Sequence, residues 1–253
     1  MRNKIIRKLL LFSLILVSFG IFYVIYLAIK SNQDPLKQFL FFAPFTLQIL
    51  SNLVLAIFLN ANYSNNSRIE LQIAPLLLFS ITLENTKVLN LYSLITYQSI
   101  LKGSIVNRVY FFAILFSAFT FVGFSIYQQE KSYQKSNQYI MISLLFTLFL
   151  SFFGPALDNV EFFITFNYYT IIVVSLYLIA ILNFIIYIFR GFTLTKLFKE
   201  VFLIALTVGN FLLTIVSTNP YNYTGLIFYT IGQIGLLLLL KRKKAQEIFV
   251  WDL

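Results

Sequence analysis

A chain of 253 residues with 59% hydrophobic and 11% charged residues differs from soluble globular domains, in which about 25% of residues are charged. This composition excludes a soluble protein and predicts one that has the bilayer as its solvent. The net charge of +10 comes from basic residues dispersed between apolar runs, so we expect no nucleic-acid partner. The chain has no cysteine and no histidine, which excludes disulfides, histidine-ligated haem and the usual general base, and we expect no cofactor.

Apolar runs of about 20 residues, each long enough to cross a hydrocarbon core of about 30 Å as a helix, recur along the chain. They predict an all-α polytopic transmembrane bundle that forms a single integral membrane domain over residues 1–253. The runs lack the alternation of β-barrel strands. The eight predicted spans cover residues 9–29, 39–59, 71–88, 109–127, 138–153, 166–189, 201–217 and 225–240, and residues 241–253 form a short basic cytoplasmic tail.

The first span follows a basic segment, as in a secretory signal, but its apolar run is too long for one and lacks a small-residue cleavage site. We interpret it as an uncleaved span. In the second span Pro44, Gln48, Ser51 and Asn52 recur at helical spacing on one face. Such a face is expected to point away from lipid. It lines a polar pathway or, more commonly, forms hydrogen bonds with neighbouring helices.

The stretch over residues 71–101 is interrupted once, between Glu84 and Lys87. It forms a single span followed by a surface segment, a re-entrant hairpin, or one long tilted helix that buries Glu84. We favour the single span, because each hairpin arm would be only about 20 Å long. Glu84 and Lys87 are three residues apart and could pair on one helical face. The commoner alternative is that they lie at a span end and reach the interface.

Three features stand out in the second half of the chain. Asp158 and Glu161 form an acidic loop that we interpret as solvated, because a cation site normally needs further oxygen ligands. We assign the tyrosines of span six, Tyr177 among them, to the interfacial aromatic belt. Glycines at 225, 232 and 235 in span eight permit close approach of another backbone. In span seven a polar stripe faces a pathway or a neighbouring helix; it consists of Thr207, Asn210, Thr214 and Ser217.

Lysine and arginine set the predicted orientation. With eight spans, 14 of the 19 basic residues fall in segments on the side of the N-terminus, so the positive-inside rule places both termini in the cytoplasm. We expect an integral protein of a bacterial cytoplasmic membrane. The partners expected are the lipid bilayer, anionic lipid headgroups at the basic tail, and other membrane or cytoplasmic subunits.

Two functions remain after this reading. No gap between spans exceeds about 25 residues, too few for a folded soluble domain, and no P-loop, HExxH or GxSxG motif is present. The first hypothesis is a carrier, or the membrane subunit of a transporter, for a small solute or ion. The second is a non-catalytic interaction protein, such as a sensor, assembly factor or anchor. The candidate pathway or packing residues are Gln48, Asn52, Glu84, Lys87, Thr207, Asn210 and Thr214.

A third hypothesis, an enzyme acting on lipid, is weaker. Without histidine or cysteine it would depend on carboxylates, and the spacing of these carboxylates suggests no catalytic pair. We therefore expect no enzymatic activity, and no catalytic or metal-binding residue is assigned. The carboxylates concerned are Asp34, Glu84, Asp158 and Glu161.

Overall fold

A computed structural model describes residues 2–31, 34–61, 69–127, 133–153, 168–190, 193–215 and 219–249. Over these ranges the chain is an all-α helical bundle, which confirms the predicted fold class, and it contains no strand. The helices are α1 (Arg2–Lys30), α2 (Pro35–Ala61), α3 (Ile69–Glu84), α4 (Lys87–Thr96), α5 (Gly103–Tyr127), α6 (Tyr133–Phe153), α7 (Tyr168–Phe189), α8 (Leu194–Ile215) and α9 (Asn219–Phe249).

Among the described residues, five helical segments are long and apolar enough to cross a membrane. Large apolar side chains such as Phe12, Phe19 and Leu182 are exposed on their outer faces. In water such faces would be unfavourable, whereas in a bilayer they meet lipid. The chain is therefore an integral membrane protein. The five segments are Arg7–Lys30, Pro35–Ala61, Gly103–Tyr127, Ile171–Phe189 and Leu197–Thr214, and α6 adds the shorter apolar segment Gln138–Phe153.

Helices α3 and α4 together form one crossing that is interrupted at Asn85 and Thr86. Hydrogen bonds to the third residue back carry the chain through the interruption, as from Val88 N to Asn85 O at 3.0 Å. Successive residues of α3 and α4 contact progressively earlier residues of α2. The chain therefore continues in the same direction past the interruption. These contacts join Thr82 to Asn52, Asn85 to Gln48 and Lys87 to Phe45.

This geometry corrects two predictions about the stretch over residues 71–101. The segment after residue 88 does not lie along the surface, because Val88, Asn90 and Tyr92 are buried, and Val88 and Tyr92 pack in a cluster with α1 and α2. The re-entrant hairpin, the alternative that we did not favour, does not agree with the order of the contacts with α2. Glu84 lies beside the middle of α2 and is only 2% exposed, so it is neither at a span end nor at an interface.

Glycines hold α8 and α9 in close antiparallel contact. A Cβ atom at Gly232 would lie 2.6 Å from Leu206 N, and one at Gly225 would lie 3.0 Å from Leu213 N. A Cβ atom at Gly235 would overlap the Phe202 ring. The prediction of close backbone approach is confirmed at Gly225 and Gly232, where the partner is the backbone of α8, whereas Gly235 makes room for a side chain.

Candidate functional site

The structure brings six of the seven predicted polar residues into one buried group in the middle of the bundle. Thr207 is the exception. It is buried, but its hydroxyl donates to Leu203 O of its own helix at 2.7 Å. We call the group the central cluster; it comprises Gln48, Asn52, Thr82, Glu84, Asn85, Lys87, Ser117, Tyr177, Asn210, Thr214, Tyr229 and Gln233.

The carboxylate of Glu84 is the centre of this cluster. Ser117 Oγ on α5 donates to its Oε1, and Thr214 Oγ1 on α8 donates to its Oε2. Asn210 Nδ2 lies 3.3 Å from each of the two oxygens. A carboxylate removed from water requires such donors, because an unpaired buried charge is strongly unfavourable. Residues of two other helices thus satisfy Glu84 as an anion.

Three side-chain amides form a relay with one direction. Asn85 Nδ2 donates to Gln48 Oε1 at 3.1 Å, and Gln48 Nε2 donates to Asn210 Oδ1 at 3.1 Å. Asn210 then presents its NH₂ group to Glu84 and, at 2.8 Å, to Tyr177 Oη. Because reversing any one amide would place two acceptors or two donors face to face, the relay fixes the NH₂ group of Asn210 against the carboxylate.

Lys87 lies three residues after Glu84 and is also buried, with 5% of its surface exposed. Its ammonium donates to Leu213 O on α8 and lies 4.6 Å from the centroid of the Phe45 ring, a cation–π distance. Among the described residues the Lys87 ammonium and the Glu84 carboxylate form no direct ion pair within 4.0 Å. Each nevertheless lies in the electrostatic field of the other. The predicted pairing on one face is therefore electrostatic and lacks direct contact.

Asn52 anchors a second branch of the cluster. Its Nδ2 donates to Thr82 Oγ1 at 3.1 Å, and its Oδ1 accepts from Tyr229 Oη at 2.6 Å and Gln233 Nε2 at 2.8 Å. One side chain of α2 thus joins α3 and α9. For Asn52, the structure therefore agrees with the second interpretation of the polar face of span two, hydrogen bonding to neighbouring helices.

Replacing Asn52 by leucine, which has the same branching but no polar atom, is expected to destabilise the bundle by about 2 kcal/mol. Three interhelical hydrogen bonds are lost, at about 0.6 kcal/mol each in membrane proteins. The unfolding transition in an SDS titration, followed by circular dichroism, measures the loss. Ser51→Ala is the matched control, because the Ser51 hydroxyl bonds only within α2, to Gln48 O. Equal stability of the two variants would contradict the assignment of Asn52 as an interhelical anchor.

The sequence reading missed several members of the cluster. Tyr177 is 1% exposed and bonds to Asn210 and Ser117, so its assignment to the aromatic belt is wrong. Ser117 stands in a long apolar helix without a polar stripe, and nothing in the sequence marks it. Tyr229 and Gln233 recur at helical spacing on α9, a signal that could have been used. The predicted residues Asp158, Glu161 and Ser217, and the side chains of the basic tail, lie outside the described residues.

Within the described ranges, no three acidic side chains come together as metal ligands. The cluster offers one carboxylate, one ammonium and a set of amides and hydroxyls, all withdrawn from the surface. These groups can bind an ion or a small polar molecule, or exchange a proton. Comparison of the chain with known protein families, with characterised proteins and with solved structures finds no match in any of the three.

Proposed function

We propose that the protein is a carrier, or the membrane subunit of a transporter, and that a small solute or ion crosses the bundle at the central cluster. One observation carries this proposal. Glu84, a carboxylate buried in a membrane bundle, is hydrogen-bonded by side chains from α5 and α8 at the interruption of a crossing helix. Ionisable groups at such depth typically belong to ion or substrate pathways.

A purely structural role explains the two charges less well. Placing one charged side chain at the centre of a membrane helix costs about 2.5–3.5 kcal/mol on insertion scales. Buried ion pairs are often no more stable than apolar residues of similar volume. The amides and hydroxyls would already join the helices without Glu84 and Lys87. The charges therefore favour a binding function over packing alone.

At the interruption between α3 and α4, the partial charges of two helix ends add to the charges of Glu84 and Lys87. Glu84 is the last residue of α3 and Lys87 is the first of α4. A carboxylate at a helix C-terminus and an ammonium at an N-terminus both add to the partial charges of the helix ends. Interrupted helices that present such ends at mid-membrane are a feature of ion and substrate sites in secondary transporters.

Two buried acceptors at the interruption also favour a ligand site. Asn85 Oδ1 and Thr86 Oγ1 have no hydrogen-bond partner among the described residues, and their side chains are 0% and 9% exposed. A buried polar group without a partner is destabilising by about 1–3 kcal/mol. A hydrogen-bond donor on a ligand would satisfy them. Because the whole cluster is buried, the described conformation is a closed one, and helices must separate for a ligand to enter.

Transport by the purified protein in proteoliposomes tests this proposal. Currents on a solid-supported membrane would be recorded after concentration jumps of Na⁺, K⁺, ammonium and a mixture of amino acids and sugars. We expect at least one current in the wild type and its loss in Glu84→Gln. Asp34→Asn, which removes an exposed carboxylate at the start of α2, is the control and should keep the current.

Two results would count against the carrier. A wild-type current that Glu84→Gln leaves unchanged would remove Glu84 from the pathway. The absence of any current, from protein that purifies without a companion subunit, would favour the second candidate function, an interaction protein.

The interaction protein has one supporting observation. Helix α9 has 31 residues, about 46 Å at 1.5 Å per residue, and so extends beyond a hydrocarbon core of about 30 Å.

A further inference from the structure

The hydroxyl of Ser117 lies close to three oxygen atoms, one of them Tyr177 Oη at 3.3 Å, which can donate to it. It donates to Glu84 Oε1, and it lies 3.0 Å from Ile114 O of its own helix. A serine hydroxyl carries one proton and can also accept a hydrogen bond. Rotation about one bond therefore moves its proton between the carboxylate and the carbonyl.

This rotation lets the site satisfy both forms of Glu84. When the carboxylate is ionised, Ser117 donates to Oε1. When Oε1 carries a proton, the carboxyl donates to Ser117 Oγ and Ser117 donates to Ile114 O, so no hydrogen bond is left unmade. Asn210 and Thr214 keep their positions on the second oxygen, Oε2, in both forms. The change requires no new space.

A divalent metal cation such as Ca²⁺ or Mg²⁺ fits the same atoms poorly. Hard cations take six or more oxygen ligands, with several carboxylates in typical sites, whereas Glu84 is the one carboxylate of the cluster. The amide relay holds the NH₂ group of Asn210 3.3 Å from both carboxylate oxygens. This group and the ammonium of Lys87 repel a positive ion. A proton bonds directly to Oε1 and needs no further ligand.

The charged and titratable groups around Glu84 come from four helices. Among the described residues, Lys87 on α4 is the cation that acts on Glu84, and the phenols that lie in the field of Glu84 are Tyr110 on α5, Tyr177 on α7 and Tyr229 on α9. The groups of α2 and α8 that reach the site are amides and a hydroxyl. Uptake of one proton therefore changes the central pair from neutral to a net charge of +1. A change of this size in a buried site alters the balance between closed and open arrangements of the helices.

We infer that Glu84 binds and releases one proton through Oε1, with Ser117 as the hydroxyl that adjusts to each form, and that this proton is the coupling ion of the carrier. The proton comes from water that reaches the opened site and returns to water on the other side. No other bond forms or breaks. The coupling role rests on the proposed function, whereas proton binding itself does not.

Infrared difference spectroscopy of the protein in lipid tests proton binding without a known solute. Spectra recorded between alkaline and acid buffer should contain the C=O stretch of a protonated, buried carboxyl group. We expect loss of the Glu84 component of this band in Glu84→Gln and its retention in Glu200→Gln, which removes another buried carboxyl group. In Ser117→Ala the band should remain and move to higher frequency, because the protonated Oε1 loses its acceptor and the C=O bond of a carboxyl strengthens when its O–H no longer donates a hydrogen bond. Circular dichroism confirms that each variant is folded.

Two results would overturn the inference. One is the absence of a buried carboxyl band while the protein stays folded. The other is a band that Glu84→Gln does not remove and Ser117→Ala does not move. The Ser117 variant keeps Glu84 in place, so it decides the matter even if Glu84→Gln does not fold. A Glu84-dependent Na⁺ current without the band would leave the proposed transport standing and exclude the proton. The band without any current would support proton binding by Glu84 and count against the proposed transport.

Discussion

Replacing Gly232 by alanine is expected to destabilise the bundle by about 3 kcal/mol, at the upper end of the range for overpacked sites. The added Cβ atom would lie 2.6 Å from Leu206 N and 2.7 Å from Leu206 Cα. Both are backbone atoms inside a helix, so no side-chain rotation relieves the overlap. Helices α8 and α9 must move apart, and that movement draws Asn210 and Thr214 away from Glu84. SDS titration followed by circular dichroism measures the stability.

Gly20→Ala is the matched control for this prediction. A Cβ atom at Gly20, on α1, would have no atom within 4 Å. Alanine is favoured over glycine in a helix by about 1 kcal/mol, so this variant should be as stable as the wild type or more stable. Loss of stability in both variants to the same extent would show that the α8–α9 contact is not the cause.

The bundle could be predicted from the sequence because a bilayer leaves an apolar chain few alternatives. Runs of about 20 apolar residues must form helices to satisfy their backbone groups. The sequence predicts that the polar faces of spans two and seven meet a pathway or a neighbouring helix, but it does not show that they meet each other. Gln48 and Asn210 do so at 3.1 Å, although 162 residues separate them in the chain.

The interruption at Asn85 and Thr86 could not be placed from the sequence. An interrupted crossing and an uninterrupted span of the same composition have the same hydropathy, and only the contacts of α3 and α4 with α2 separate them. The depth of Glu84 follows from that interruption. Ser117 and Tyr177 were missed for a different reason. A single serine or tyrosine suits a lipid-facing, interfacial or buried position, and the partner that decides between these lies on another helix.

The double-mutant cycle of Glu84→Gln and Lys87→Met is expected to show strong coupling. Glu84→Gln leaves a buried ammonium without its countercharge, and Lys87→Met leaves a buried carboxylate. Removing one partner of a buried pair costs about 3 kcal/mol or more, so each single variant should lose up to about that much in neutral buffer. The double variant removes both charges and should be more stable than either single variant. Unfolding in SDS gives the three free energies.

A control cycle separates charge coupling from general damage to the bundle. Lys87→Met combined with Asp34→Asn joins two distant sites: Asp34 precedes α2, about 16 Å along that helix from Phe45, which Lys87 contacts. Their effects should add to within about 0.5 kcal/mol. If the Glu84–Lys87 cycle were also additive, Lys87 would act through its hydrogen bond to Leu213 O and its contact with the Phe45 ring, and not through Glu84. If the pair is coupled, Lys87 sets the charge balance of the central cluster. Any proton, ion or solute that neutralises Glu84 would then leave the Lys87 ammonium without its countercharge. The closed bundle would lose the stabilisation that the pair provides, and this loss would favour opening.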